Sequence, residues 1–188
     1  MSLNKKLIIM KNSVIILLVI YFFSGCQNKK TNDELEMLKM KEKLTELNKD
    51  VVRGFYDAWN KRDTLALQKF YSSSSKYHNP AAGPQPILFE DAIKQIKMLW
   101  VAFPDLSIEI KDLFAENDKV FVRFDSRGTQ KQDFGGIPAR GAVANVGAMQ
   151  VFLIKDNKIA ETWEISDRLG LFLQLGMELQ MKKNPQSK

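Results

Sequence analysis

The spacing of apolar residues changes at Pro104, and that change constrains the fold more than any other feature of the chain. Before it, apolar side chains recur at three- and four-residue steps. Met37, Met40, Leu44, Leu47, Val51, Phe55 and Trp59 make one stripe, and Phe89, Ile93, Ile96, Trp100 and Phe103 make another. After it the period is two: Leu106, Ile108 and Ile110, then Val120, Val122 and Phe124, alternate with other residues. Helices followed by antiparallel strands specify an α+β domain, with the helices covering one face of a curved sheet and leaving room for an apolar pocket.

The spacing predicts helices over 33–60, with Asn32 as N-cap, over 64–70, capped by Asp63, and over 87–103, stopped by Pro104. The serine run 72–75 is expected to break the second of these helices. Turns are expected at 116–119 and 155–158, a loop carrying Gly135-Gly136-Ile137-Pro138 at 131–141, and a long strand at 143–154. Strict alternation in the last strand puts Ile159, Glu161, Trp163, Ile165 and Asp167 on one face. The tail past Gly176 is polar and rich in Lys.

The beginning of the chain has a different character. Lys5, Lys6 and Lys11 precede an apolar run from Val14 to Phe23, and no Asp or Glu occurs before Asp33. A basic segment followed by a short apolar one is the layout of a secretory signal. The run is short for a bilayer span, which needs about 20 apolar residues. It ends at Phe23-Ser24-Gly25-Cys26, a small-residue stretch before the only cysteine in the chain. That stretch resembles the lipobox of bacterial lipoproteins, in which the cysteine takes a diacylglyceryl group. The expected organisation is a signal peptide at 1–25, a lipid-anchored tether and helical stalk at 26–48, a domain at 49–181 and a polar tail at 182–188. Such a protein is held at the bacterial cell envelope, its domain outside the cytoplasm.

Charge and composition narrow the partners. The net charge of +6 is partly a leader effect, since without Lys5, Lys6 and Lys11 there are 25 basic and 22 acidic residues. The remaining charges are mixed along the chain, without a basic stripe interleaved with aromatics, so no nucleic-acid partner is expected. Twelve Phe and three Trp supply a core, and with Cys26 alone there is no internal disulfide to support it. A lone histidine without clustered ligands gives no reason to expect a metal, and no cofactor motif is present: Gly136-Ile137-Pro138 lacks the surroundings of a phosphate loop.

Several strings of residues, in order, are similar to the SnoaL-like polyketide cyclases, also called ester cyclases. They are Asn60; His78 with Pro80; Phe103-Pro104-Asp105-Leu106; Asn117-Asp118-Lys119-Val120 with Arg123; Gly128-Thr129; Gly136-Ile137-Pro138; Lys158-Ile159; Glu161-x-Trp163-Glu164; Asp167; and Gln174-Leu175-Gly176. The resemblance runs from about Lys49 to Gly176. It implies the cone-shaped nuclear-transport-factor-2-like fold, with a curved antiparallel sheet packed on three helices around a pocket. For the characterised cyclases it also implies a metal-free intramolecular aldol closure, with an aspartate of the last strand as acid/base. The matching position here is Asp167. Gln130 and Thr162 stand where the family pattern has histidines.

The candidate catalytic residues are therefore Asp167, a carboxylate on the face of Trp163 and Ile165, and His78, which could orient a carbonyl or share a proton. Glu161 is expected in a hydrogen-bonded structural role. The expected ligand-pocket residues are Trp59, Trp163, Gln130 and Phe134, among aromatics that otherwise belong to the core. Two functions stay open: cofactor-free cyclisation or isomerisation of a small organic ligand, or non-catalytic binding by an accessory lipoprotein. The partners expected are that ligand, the membrane through lipidated Cys26, and, as an open option, a second copy in a homodimer. Cys26→Ala should abolish fatty-acid labelling and leave unprocessed precursor. Equal label in wild type and variant would end the lipoprotein reading.

Overall fold

The computed structural model describes residues 3–81 and 83–181, with side chains from Thr31 onward. The Cys26 thiol and the tail 182–188 lie outside the described residues. The first helix, α1 (Leu3–Asn60), runs through two compact units, Met1–Leu44 and Thr45–Lys188. In the first unit the side chains from Thr31 to Leu44 are exposed. Among the described residues no helix is long and apolar enough to cross a membrane.

The second unit continues from the end of α1 with α2 (Thr64–Phe70), β1 (Tyr71–His78), β2 (Ile87–Leu88), α3 (Phe89–Ala102), β3 (Ser107–Glu116), β4 (Lys119–Thr129), β5 (Val143–Lys155), β6 (Lys158–Ser166) and α4 (Arg168–Gln174). The strands form one curved sheet in the order β2-β1-β6-β5-β4-β3. All neighbours are antiparallel except β1 and β6, which are parallel, so the sheet is mixed rather than wholly antiparallel. Val52, Phe55 and Trp59 of α1 and Ile93 and Trp100 of α3 pack against Val120, Val122, Phe152 and Ile159 of the sheet. This is the α+β arrangement expected, with α4 as an additional short helix.

Three elements differ from the sequence reading, and two of the differences are linked. The first helix does not begin at Asp33 with Asn32 as its N-cap: no proline interrupts the chain before Asn60, and α1 is already helical from Leu3, so Asn32 lies inside it. The second helix does end before the serine run, as expected, but the run itself lies inside β1, a strand the sequence reading did not foresee. Its Ser75 is buried, and the hydroxyl proton is shared between the carbonyl oxygens of Ile159 (2.8 Å) and Ala160 (3.1 Å). Those carbonyls flank a bulge. Ile154 pairs with Ile159 and Leu153 with Glu161, so Ala160 has no opposite number on β5. An extra residue reverses the side-chain alternation beyond it. Ile159 is therefore in the core, but Trp163 and Ile165, expected on the same face, are exposed, and Thr162 is fully buried instead.

Many of the residues that carry the family resemblance brace this frame. The Asn60 amide both donates to and accepts from the backbone of Ile108, fastening the end of α1 to β3. Asp105 accepts from the Thr129 amide and hydroxyl, which hold its carboxyl below the usual carboxylate range. A side chain on Gly128 would meet the Leu106 backbone at 3.1 Å, so a larger residue there would push that turn away from β4 by a few tenths of an ångström. The Gln174 side chain makes a two-way bond with the backbone of Asn145, docking α4 on β5. Asn48, buried on α1, donates to the carbonyl of Asn117 in the β3–β4 turn.

Ser75→Ala should lower stability by about 1–3 kcal/mol, the cost of leaving a buried backbone acceptor without its donor. Urea unfolding of the purified protein measures it. An unchanged midpoint would mean that the bulge holds without the hydroxyl.

Candidate functional site

A cavity of about 850 Å³ opens in the Thr45–Lys188 unit between the sheet and the helices. Aromatic side chains of α1 and β1, namely Phe55, Tyr56, Trp59, Tyr71 and Tyr77, wall one part of it. The concave side of the sheet contributes Phe124, Ala148 and Gln150 together with Glu164 and Ser166 of β6. The loop residues Asp133, Phe134 and Gly135, with Arg168 and Leu171 of α4, reach it from another direction.

The Ala160 bulge is the reason that Glu164 is among these residues. Past the bulge the even-numbered positions of β6 turn inward, so Thr162 enters the core and Glu164 and Ser166 line the cavity. Glu164 is held by polar groups from three elements. Gln150 Nε2 donates to its Oε2 at 2.5 Å, and Asn79 Nδ2 approaches its Oε1 at 3.3 Å. The Tyr77 hydroxyl also hydrogen-bonds the carboxylate, and accepts from Asn79 Nδ2 at 3.0 Å. Behind Gln150, the Tyr56 hydroxyl donates to Oε1 at 2.5 Å, which orients the amide so that its NH2 faces Glu164. The chain Tyr56–Gln150–Glu164–Asn79–Tyr77 therefore puts one carboxylate at a polar spot in a largely aromatic cavity.

Burial and the nearby Glu164 charge act in the same direction on the phenols. Desolvation is the larger cause for Tyr56, Tyr71 and Tyr77, and each is pushed well above the ordinary tyrosine value. All three are neutral donors throughout the physiological range.

The residues expected from the sequence separate into two groups. Trp59 and Phe134 line the cavity, and Trp59 packs edge-on to Trp100 at 5.5 Å. Asp167, His78, Trp163 and Gln130 do not line it. Asp167 is exposed and caps α4, its Oδ1 accepting from the Gly170 amide at 2.7 Å. His78 pairs through Nε2 with Glu161 at 3.0 Å and stacks on Trp163, the rings 5.1 Å apart and 11° from parallel. The two rings sit opposite each other across the β1–β6 ladder, on the side the bulge turned away from the cavity. Gln130 is fully buried and donates to the carbonyl of Ile137, closing the loop that carries Phe134. Among the described residues no three His, Cys, Asp or Glu side chains converge as a metal site requires.

Sequence reasoning missed Tyr56, Tyr77, Asn79, Gln150 and Glu164. A signal existed for Gln150: along β5 the inward positions are Ala144, Val146, Ala148, Gln150, Phe152 and Ile154, and one amide interrupts an apolar series. For Glu164 no local signal outweighed the alternation, because a bulge leaves no mark of composition at Ala160.

Residues 49–175 match the family model described as SnoaL-like polyketide cyclase. No functionally curated protein matches the chain. Among solved structures, the chain is similar to AclR of Streptomyces galilaeus, described as a candidate hydroxylase, with 25% identity and a TM-score of 0.64 over 69% of this chain and 95% of that one. It is similar to IdmH of Streptomyces antibioticus, described as a candidate polyketide cyclase, with 26% identity and a TM-score of 0.63 over 69% and 99%. TsrD of Streptomyces laurentii shares 32% identity with a TM-score of 0.60 over 68% and 92%.

The buried phenols give a pH test of the cavity. Their folded values are raised, so the stability they contribute is whole below the ordinary value of 10.0 and is lost as pH rises through the raised values. Of the four tyrosines in the chain, Tyr56, Tyr71 and Tyr77 should stay un-ionised above pH 10 until the protein unfolds. Phenolate absorbance followed beside circular dichroism checks this. Reversible ionisation of all four near the ordinary value, with the fold intact, would contradict a closed cavity wall.

Proposed function

Because the chain belongs to the SnoaL-like polyketide cyclase family, we propose that its Thr45–Lys188 unit binds a small organic carbonyl compound in the cavity and moves a proton with Glu164. The observation that carries this reading is the placement of Glu164: a carboxylate inside an aromatic cavity of about 850 Å³, oriented by Gln150 and Asn79. A carboxylate held in this way can take the proton from a carbon next to a carbonyl, while a neutral phenol or amide donates to the oxygen that gains charge. In a cyclisation the resulting enolate carbon attacks a second carbonyl of the same molecule. The C–H bond breaks, a C–C bond forms, and the proton returns from Glu164 to the new alkoxide. Returned instead to a different carbon, it gives an isomerisation. Neither route consumes a second reactant.

In this reading the acid/base part expected of Asp167 passes to Glu164. Asp167 is occupied by the α4 cap, and Asp167→Asn, which keeps a capping side chain, should leave both stability and proton transfer close to wild type. We also propose that the leader exports the domain and that Cys26 tethers it to a membrane, on the strength of the Ser24-Gly25-Cys26 stretch. A non-catalytic binding role has one observation in its favour. The two positions where the family has histidine carry Gln130 and Thr162, both fully buried and neither on the cavity surface.

Exchange of the α-protons of 2-tetralone in D2O, followed by NMR, separates the two roles. Wild type should accelerate exchange, and Glu164→Gln should lose on the order of 10²–10⁴ of that acceleration while still binding the ketone. Binding without accelerated exchange in wild type would favour the non-catalytic role. Equal exchange by wild type and Glu164→Gln would remove Glu164 from the chemistry.

A further inference from the structure

The cavity has a second charged feature that proton transfer at Glu164 does not use. Arg168, the first residue of α4, lines it and is half-buried. No hydrogen bond or ion pair occupies its guanidinium among the described residues. The two carboxylates in the lining are engaged elsewhere: Asp133 accepts from the Ala139 amide at 3.0 Å within its own loop, and Glu164 from Gln150 and Asn79. Some other cations of the domain have partners: Arg123 binds Asp112 at 2.5 Å, Lys111 binds Glu109 at 2.7 Å, and Arg62 donates to the Pro104 carbonyl. Lys97 also lines the cavity, but it is exposed to solvent, whereas Arg168 is half-buried. A half-buried guanidinium facing a mainly aromatic cavity without an anion has given up some hydration, and the missing partner is one that a ligand can bring.

We infer that the ligand is an acid: an apolar carbonyl compound that also carries a carboxylate, received by Arg168 while its reacting carbon lies against Glu164. The inference rests on the reading of the cavity as a ligand site. The spacing is set by the chain. Glu164, Ser166 and Arg168 all line the cavity, and four residues of chain span at most about 14 Å. An acid group within that reach of a carbonyl could bind Arg168 through both nitrogens of its fork, and the aromatic wall would take the body between. The arrangement also gives direction: Glu164 repels a carboxylate and Arg168 attracts one, so a keto acid enters with its acid end toward α4. Neutral esters of the same shape would lack that orientation.

A pair of fluorescent probes that differ in one charged group tests this without a known substrate. The anionic probe is 8-anilinonaphthalene-1-sulfonate, whose sulfonate stands in for the carboxylate, and the neutral one is N-phenyl-1-naphthylamine, the same rings without it. Wild type should bind the anionic probe at least on the order of 10-fold more tightly, the usual worth of a charge-assisted hydrogen bond. Arg168→Gln should abolish that preference and leave the neutral probe's affinity unchanged, which also shows that the cavity is intact. Arg168→Lys should keep part of it. Glu164→Gln should retain the preference or increase it, so this result stands or falls separately from proton exchange. Equal affinities in wild type, or a preference that survives in Arg168→Gln, would overturn the inference. Parallel loss of both probes in Arg168→Gln would overturn it too, because the arginine would then shape the cavity rather than read charge.

Discussion

The arrangement depends on one buried hydroxyl and the two carbonyls it serves. A bulge in the middle of a sheet leaves backbone groups out of the ladder, and a buried unpaired carbonyl costs about as much as a hydrogen bond is worth. Ser75 supplies the donor from the neighbouring strand. With that cost met, β6 gains the extra residue Ala160 and changes faces partway along its length. Its first part can then contribute Ile159 to the core while its second part presents Glu164 and Ser166 to the cavity. The parallel pairing of β1 with β6 makes this possible, since it puts Ser75 beside the bulge and places Tyr77 and Asn79 next to the carboxylate further along the same two strands.

The molecule separates residues that hold the frame from residues that hold a ligand. Asn60, Asp105, Gly128 and Gln174 act on backbone, each at a junction between elements. Such positions tolerate little change in residue type, because each replaces a specific backbone bond or permits a close approach. The cavity is governed differently. Its aromatic wall tolerates swaps of similar volume, while the line from Tyr56 through Gln150 to Glu164 fixes where a negative charge sits and which way its oxygens face. A family signature dominated by the first kind of residue therefore identifies the fold much more sharply than it identifies a reaction.

This division explains what could be read from the residues alone. The change of period at Pro104, the cap at Asp63, the helix stop at Pro104, and the alternation along β4 and β5 are local signals, and α2, α3, β4 and β5 lie where those signals put them. Trp59 was legible as a cavity residue because a large aromatic on an inward helical stripe has few other places to go, and Phe134 because a large aromatic in a loop needs cover. The strand at the serine run was not legible because serine favours turns in isolation, whereas here Ser75 is fixed by a strand more than eighty residues away. The bulge that this contact supports turned Trp163 and Asp167 away from the cavity and brought Glu164 into it. Nothing within a window of neighbouring residues records a bulge that is stabilised from another strand.

The parallel pairing also imposes an order on events in time. Tyr77 on β1 finds its partner Thr162 about 85 positions later in the chain. The intervening β3, β4 and β5 pair with their immediate successors, so those hairpins can form as soon as their residues are available. β1 cannot be completed until β6 exists, and until then its only strand neighbour is the two-residue β2. A chain emerging N-terminus first thus carries an open strand edge from the completion of β1 at His78 until β6 begins at Lys158, and the cavity is among the last features to close.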